Sequence, residues 1–230
     1  MTTPRLSVIV PTLNEAQSIE QVLRYIHANT QSLELGIELI VADGGSTDNT
    51  QTLAQGLADH VIEAPRGRAR QMNAGSAQAT GNYLLFLHAD TELTQPAASE
   101  LQQALEHTPV WGRFDVRIQG QAFMLPVIAF MMNRRSRYTG IATGDQAMFV
   151  RRDVFESLGG FADQPLMEDI ELSKRLCRQH KPVCLKGPVI TSGRRWDTKG
   201  VWPTIWLMWR LRWRYWRGED AQTLAQAYQR

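Results

Sequence analysis

The chain has 230 residues and a formal net charge of +2, with 43% hydrophobic and 21% charged residues. That length suits one domain, since chains usually split only beyond about 250–300 residues. The small net charge argues against nucleic acid as a partner. The N-terminus has no basic region followed by a long apolar stretch, so we expect no secretion signal and a cytoplasmic protein.

Three short apolar runs lie at residues 6–10, 39–42 and 83–87, and each is bounded by turn residues. They alternate with amphipathic segments, which predicts βαβ units and a parallel sheet. Helices are expected after the first run to about residue 29, and from residue 49 to about 57.

Acidic residues follow all three runs. Glu15 comes after the first, Asp43 opens the turn Asp-Gly-Gly-Ser-Thr-Asp after the second, and Asp90 comes after the third. Ligands bind at the carboxyl ends of strands in open α/β sheets, so we expect these carboxylates to line one site. The Gly-Gly turn also has a purely structural interpretation, because such turns and Ser/Thr/Asp caps are common between strands and helices.

Further elements are expected in the second half of the chain. Residues 113–119 alternate apolar and polar side chains, which predicts a half-buried strand that is antiparallel or at a sheet edge. Residues 147–150 are predicted as another strand, with Asp153 capping the helix that follows. Residues 168–179 are predicted as a helix that stops before Pro182.

These motifs, taken in order, resemble the family 2 glycosyltransferases. The matching segments are residues 7–15, 43–48, 67–75, 88–90 and 159–161, followed by the Glu168-Asp169 pair. Residues 86–91 look most like a small bacterial subgroup associated with radical-SAM and selenium-domain proteins. The resemblance implies an α/β GT-A fold, with a mostly parallel central sheet flanked by helices. It also implies inverting sugar transfer from a nucleotide-diphosphate sugar to an acceptor that the sequence does not identify.

The resemblance also suggests how the chain is divided. Residues 1–200 would form one catalytic domain, with a nucleotide-sugar half at 1–115 and an acceptor half at 116–200. Residues 201–230 would form a helical tail rich in Trp and Arg.

The implied cofactor is a divalent cation, Mn²⁺ or Mg²⁺, which would neutralise the charge on the departing diphosphate. The family's usual motif is Asp-x-Asp, and here His88 replaces its first Asp while Asp90, the metal-binding position, is present. His88 would then face the ribose or act as an extra ligand, and an imidazole favours Mn²⁺ over Mg²⁺. The structural alternatives are a polar strand end for His88 and a helix N-cap for Asp90.

The resemblance assigns the catalytic base to Asp169. An acceptor hydroxyl needs a carboxylate within hydrogen-bond reach to take its proton as it attacks the sugar. Glu168 would orient the acceptor or Asp169. The alternative is an ordinary helix start, because acidic residues are favoured in the first turn of a helix.

Other positions are assigned to binding. Arg68 and Arg70 begin a predicted helix and suit a diphosphate, although a solvated helix start is the alternative. Arg195 and Trp196 could fold over the same group. The residues assigned to the donor are Pro11, Asn14, Glu15, Asp43, Arg68, Arg70, Asn73, His88, Arg195 and Trp196, and those assigned to the acceptor are Gly144 and Asp145.

The tail has a stripe of tryptophans at helical spacing: Trp202, Trp206, Trp209, Trp213 and Trp216. Leu207, Met208, Leu211 and Tyr215 fall on the opposite side, and arginines separate the two stripes. The segment is too short and too charged to span a bilayer, which takes about 20 mostly apolar residues. Its composition predicts a helix lying on an anionic membrane surface, here the inner face of the cell membrane. A homodimer seam and core packing are the alternatives, also for a second apolar run at residues 123–132.

Two other functions fit parts of the sequence. A sugar-phosphate nucleotidyltransferase would share the architecture and the metal, but the segment after the first strand lacks the long Gly-rich loop with Arg and Lys that such enzymes usually have. A non-catalytic membrane or partner adaptor that keeps the fold would explain His88 as a lost metal ligand.

Overall fold

The structure is a computed structural model that describes residues 6–31 and 33–229. The first five residues of the predicted domain, residue 32 and the last residue of the predicted tail lie outside this part. The described strands are β1 (Leu6–Thr12), β2 (Ile37–Asp43), β3 (His60–Glu63), β4 (Tyr83–Phe86), β5 (Thr91–Leu93), β6 (Trp111–Gln119), β7 (Met148–Arg151) and β8 (Val183–Ser192).

A helix follows each of these strands except β4, and a short 3-10 turn at Gly144–Gln146 precedes β7. The helices are α1 (Ile19–Thr30), α2 (Thr50–Ala54), α3 (Arg68–Gln78), α4 (Gln95–Glu106), α5 (Leu125–Thr139), α6 (Arg152–Ser157), α7 (Glu168–Cys177), α8 (Arg194–Lys199), α9 (Val201–Trp216) and α10 (Ala221–Gln229).

The described strands form one sheet in the order β3-β2-β1-β4-β7-β6-β8-β5. The first four are parallel, as the apolar runs predict. β7 is antiparallel to both β4 and β6, β6 is parallel to β8, and β5 is antiparallel to β8. The sheet therefore has a parallel half that begins the chain and a mixed half that follows it.

One sequence prediction about a local element is confirmed, and two need correction. β6 is antiparallel to β7, as predicted, but it lies inside the sheet because β8 covers its other side. α2 ends at Ala54 and not near residue 57, and Gly56 adopts a φ of 82° soon after it. Arg151 occupies the cap position of α6, so Asp153 lies in the first turn.

Helices cover both faces of the sheet, because alternate residues of each strand point to opposite sides. Val8 and Val10 of β1 belong to the core cluster that α1, α4 and α5 complete. Ile9 belongs to the cluster formed with α3, α6 and α7. The predicted α/β architecture, with helices flanking the sheet, is confirmed.

The C-terminal helices α9 and α10 pack together against the start of α7. Leu211 and Leu224 are fully buried against Met167 and Ile170. Across residues 6–31 and 33–229, no helix is both long enough and apolar enough to cross a bilayer.

Candidate active site

A cavity of about 520 Å³ opens where β4, the Gly144–Gln146 turn and the start of α7 meet. Two thirds of the residues that the sequence assigns to a site line this cavity. They are Glu15, Arg68, His88, Asp90, Gly144, Asp145, Glu168, Asp169, Arg195 and Trp196. Carboxylates from separate parts of the chain thus reach one space, next to several cations.

His88 and Asp90 follow β4 and enter the cavity from the sheet. His88 is 8% exposed, and burial together with the nearby Arg68 charge lowers the pKa of its imidazole well below the usual value. The ring is therefore neutral at physiological pH. Its Nδ1 lies 3.9 Å from Oδ1 of Asp145, which is beyond hydrogen-bond distance.

Asp145 stands on the 3-10 turn, half exposed to the open part of the cavity. Loss of hydration there, and then the negative charge of Asp90, raise the pKa of Asp145 to about 6. A cation near Asp145 would offset the effect of the Asp90 charge on this carboxyl.

Gly144 holds the opposite wall together. Its N–H donates to Oδ2 of Asp169 across 2.7 Å. A Cβ at this position would overlap the His88 imidazole, so only glycine lets the turn approach the ring this closely. Gly144 thus lies between the predicted base and the residue that replaces the family's first Asp.

Asp169 and Glu168 begin α7, after Met167 adopts a left-handed backbone with a φ of 67°. Asp169 Oδ1 accepts from the N–H of Ile170 across 2.7 Å, and burial raises the pKa of its carboxyl. Burial and then the Asp169 charge raise the pKa of Glu168 to about 7. Glu168 Oε1 lies 3.7 Å from Nη1 of Arg68, so Arg68 partly offsets this acidic pair.

Asp43, the acid of the Asp-Gly-Gly turn, is fully buried and its carboxylate holds the turn itself. It accepts from the N–H groups of Gly45 and Ser46, and from side chains of Ser46, Gln51 and Thr12, over 2.5 to 3.0 Å. These hydrogen bonds lower its pKa despite burial, which alone would raise it. The structural interpretation of this turn therefore has direct support, and the donor-binding role of Asp43 stays a prediction.

The remaining predicted donor residues also make protein contacts away from the cavity. Asn14 has a φ of 55°, and its Oδ1 accepts from the N–H of Thr47 across 2.9 Å. Arg70 pairs with Asp163 across 2.7 Å. Their donor-binding roles stay predictions, and so does that of Pro11, which lies in β1.

Asn73 fastens α3 to the loop before α7. Its Nδ2 donates to the carbonyl of Phe161 across 2.8 Å, and its Oδ1 accepts from the N–H of Phe161 across 2.9 Å. Both functional groups of the amide are used within the protein, so its donor-binding role also stays a prediction.

Sequence reasoning missed the contribution of the C-terminal helices to this cavity. Thr204, Met208 and Arg212 of α9 line it at intervals of four residues, together with Tyr228 of α10. Arg195 lies over the Tyr228 ring at 3.8 Å and donates to the Tyr228 carbonyl. The four-residue spacing was visible in the sequence, but nothing there indicates that this side of α9 faces the site.

Arg135 of α5 is another residue that the site predictions omitted. It is partly buried, and its charge acts on both Asp169 and Asp145. Its Nε and Nη2 atoms are buried without a hydrogen-bond partner among the described residues. Burial lowers the pKa of the guanidinium.

The side chains alone do not form a closed metal site. Within the described ranges, no three or more His, Cys, Asp or Glu side chains converge in a group that could hold an ion. Mg²⁺ and Mn²⁺ can bind through one or two carboxylates if phosphate oxygens and waters complete the shell. Asp90 with Asp145 nearby fits that incomplete kind of site.

Comparison with known proteins identifies the family to which this chain belongs. The sequence profile described as "Glycosyl transferase family 2" matches residues 7–159. A "PGL/p-HBAD biosynthesis glycosyltransferase" from Mycobacterium bovis is 33% identical over 177 residues, which is 70% of this chain and 64% of that relative. The chain therefore spans less than two thirds of the relative's length.

A shorter match and a solved structure extend the comparison. The "GalNAc(5)-diNAcBac-PP-undecaprenol beta-1,3-glucosyltransferase" of Campylobacter jejuni is 34% identical over 111 residues, covering 44% of this chain and 34% of that protein. The mannosyltransferase PcManGT from Pyrobaculum calidifontis, solved with GDP-Man and Mn²⁺, superposes with a TM-score of 0.65 at 22% identity. That superposition covers 99% of this chain and 70% of PcManGT, and it confirms the predicted GT-A fold.

Proposed function

Because the chain belongs to glycosyl transferase family 2, we propose that it transfers a sugar from a nucleotide-diphosphate sugar to an acceptor hydroxyl. The observation that carries this proposal is that Asp90 and Asp169 line one cavity, although they come from a strand end and a helix start. The cavity volume of about 520 Å³ lies within the range of about 300–1,000 Å³ usual for small-molecule sites.

Asp169 is the proposed general base. Its raised pKa makes it a stronger base than an exposed carboxylate, and the Gly144 N–H fixes its orientation. It takes the proton of the acceptor hydroxyl as that oxygen bonds to the anomeric carbon of the donor. The bond from this carbon to the diphosphate oxygen breaks on the opposite side, which inverts the configuration and releases the nucleoside diphosphate. Glu168 positions the acceptor or Asp169.

Asp90 is the proposed protein ligand of a divalent cation. A cation bound there would neutralise the charge that develops on the leaving diphosphate. The raised pKa of Asp145 beside Asp90 supports this role, because a positive charge would relieve their mutual repulsion. Neutral His88 is available as a further ligand or as a contact to the ribose. The Mn²⁺ bound in PcManGT supports the same kind of cofactor.

Arg68, Arg195 and Trp196 complete the proposed donor side. The two guanidinium groups line the cavity and suit the planar bidentate binding of phosphate oxygens. For the acceptor we propose a lipid-linked molecule, because the name of the Campylobacter relative specifies a PP-undecaprenol acceptor.

Thermal-shift measurements with a panel of nucleotide sugars and Mn²⁺ test the proposal first, since a ligand that binds only the native state raises Tm. A donor that raises Tm should then be hydrolysed slowly by the wild-type protein, with release of its nucleoside diphosphate. Pyrophosphate release from a sugar phosphate and a nucleoside triphosphate would instead identify a nucleotidyltransferase. Neither binding nor turnover across the panel would favour the non-catalytic adaptor.

A further inference from the structure

The outer side of α9 is an aromatic stripe open to solvent. The five tryptophan side chains of this stripe, at positions 202, 206, 209, 213 and 216, are 56% to 76% exposed. The opposite side of the same helix packs on the domain, with Leu211 fully buried. The protein therefore covers one apolar side of α9 and leaves the other exposed. An exposed apolar patch of this kind marks an interaction site.

A second exposed apolar face lies on and just before α5. Its exposed large side chains are Phe123, Val127, Phe130, Met131 and Tyr138. The segments that lead into the two helices are linked, because the Asp197 carboxylate in α8 accepts from the N–H groups of Gln121 and Ala122, which precede α5, across 3.1 Å. α8 leads directly into α9. We call the exposed residues of both helices the aromatic surface.

Cations accompany this surface. α5 and α9 contain no acidic residue. Of their six arginines, Arg134 and Arg210 lie beside exposed rings, whereas the others pair with acids, line the cavity or act on its carboxylates. The guanidinium of Arg134 lies 5.6 Å from the Phe130 ring centroid, and that of Arg210 lies 5.0 Å from the Trp206 ring. Arg217, just after α9, lies 4.9 Å from the Trp213 ring. Aromatic rings with flanking arginines suit the boundary between the acyl chains and the anionic headgroups of a bilayer.

We propose that the aromatic surface docks the protein on an anionic lipid bilayer. A second copy of the chain is the less suitable occupant, because a two-fold interface places the same patch on both sides. The arginines of both copies would then enter one interface in which α5 and α9 offer no acidic side chain to pair them, and like charges brought together oppose association. An anionic bilayer instead offers negative headgroups to the arginines and apolar depth to the indole rings.

Docking on this surface would bring the cavity to the membrane. The inner side of α9 lines the cavity through Thr204, Met208 and Arg212, while its outer side has the tryptophans. One helix thus separates the bilayer from the reaction space, and a lipid-linked acceptor would reach the cavity past its edge. This consequence rests on the proposed glycosyltransferase function, whereas the docking itself does not.

Co-sedimentation with vesicles tests the docking directly. The full chain, without donor, is mixed with vesicles of phosphatidylcholine alone or of phosphatidylcholine and phosphatidylglycerol in equal parts. We expect binding to the anionic vesicles that weakens from about 0.01 M to about 1 M ionic strength, since the screening length falls from about 30 Å to about 3 Å. Trp209→Ser with Trp213→Ser should lower vesicle affinity about tenfold or more, because lost burial of two indole rings exceeds the free energy of a tenfold change.

A second variant and a control make the result specific. Phe130→Ser with Met131→Ser should weaken binding through α5 even if the tryptophan variant fails to fold, which circular dichroism would reveal. Tyr25→Ser, an aromatic residue on α1 that is 41% exposed, should bind vesicles like the wild type. Light scattering after gel filtration should give a monomer.

Two outcomes would overturn the docking proposal. One is a wild-type protein that stays in the supernatant with anionic vesicles at low salt. The other is a dimer that the tryptophan substitutions split, which would make the aromatic surface a subunit seam. Donor hydrolysis is measured separately without vesicles, so failure of the proposed function leaves the docking result intact and removes only its consequence for the acceptor.

Discussion

The N–H of Gly144 and Oδ2 of Asp169 are joined by a hydrogen bond of 2.7 Å. It connects the turn before β7 to the first turn of α7. The proposed base therefore takes its orientation from a backbone group, and the position of that group depends on how closely the turn packs on His88.

Gly144→Ala should lower turnover by about 10²-fold, the scale of misplacing a reacting group by about 1 Å. A Cβ would overlap the His88 ring, so the turn or the ring must move and the N–H would no longer hold Asp169. Initial rates at saturating donor give the effect. Gly56→Ala is the control for backbone strain alone, because Gly56, unlike Gly144, has a positive φ and has nothing near its added Cβ. Equal losses in both variants would mean that the contact with His88 is not the cause.

Asp169→Asn should separate binding from chemistry. The amide keeps the shape of the carboxylate but loses its basicity, so turnover should fall by roughly 10²-fold or more. Donor affinity, measured by calorimetry, should stay near the wild-type value. Glu171→Gln, in the same helical turn but paired with Arg175, should leave turnover nearly unchanged. If donor affinity collapsed while the saturated rate survived, Asp169 would be a donor ligand.

Asp90→Ala should remove the part of nucleoside-diphosphate affinity that depends on Mn²⁺, because the cation would lose its carboxylate ligand. Calorimetric titrations with and without Mn²⁺ measure this difference, and transfer should be abolished. Glu106→Ala changes an exposed acid of α4 and should leave the Mn²⁺ effect intact. An unchanged Mn²⁺ dependence in Asp90→Ala would place the cation elsewhere in the cavity.

The parallel half of the fold follows from the sequence because β1, β2 and β4 are short apolar runs, buried on both faces, with turn residues after them. β8 cannot be predicted in the same way, because its apolar residues are interrupted by Lys186, Gly187 and Pro188. β5 has only three residues and lies directly after the His88–Asp90 turn, so its sequence shows no strand period.

The site was less predictable than the sheet. The sequence places Asp43 at a strand end, but it does not show whether the carboxylate points to a ligand or to the N–H groups of its own turn. Similarly, the helical period of α9 predicts two apolar stripes but not which of them is buried. The stripe with Leu211 is buried because it contacts Met167 and Leu224, which lie outside this helix. Such decisions rest on tertiary contacts and not on local pattern.

The raised pKa of Glu168 gives a stability prediction with a definite sign. Folding raises this pKa from 4.5 to about 7, so the native state keeps a proton that the unfolded state releases in that window. The stability that Glu168 contributes is present below this window and is lost as pH rises through it. Glu168→Gln should therefore stabilise the protein more at about pH 8 than at about pH 5, by ~2 kcal/mol in the free energy of unfolding.

Urea denaturation of both proteins at the two pH values, without metal or donor, measures this difference. Glu34→Gln, on an exposed acid remote from the cavity, is the control and should show the same small effect at both pH values. A smaller gain for Glu168→Gln at the higher pH would mean that Arg68 keeps Glu168 ionised in the native state.

Asn73→Ala tests whether this predicted donor residue acts through the fold. Its amide makes two hydrogen bonds to the backbone of Phe161, and removing them leaves a donor and an acceptor without their partner. The free energy of unfolding should fall by about 2 kcal/mol, given a cost of about 1–3 kcal/mol for a buried group left unpaired. Gln78→Ala, which removes an exposed side chain at the end of the same helix, should lower the free energy of unfolding much less.

Donor affinity of Asn73→Ala, measured well below Tm, should remain near that of the wild type, because the link from α3 to Phe161 lies outside the cavity. A stable Asn73→Ala protein with weakened donor binding would reverse this conclusion and place Asn73 on the donor.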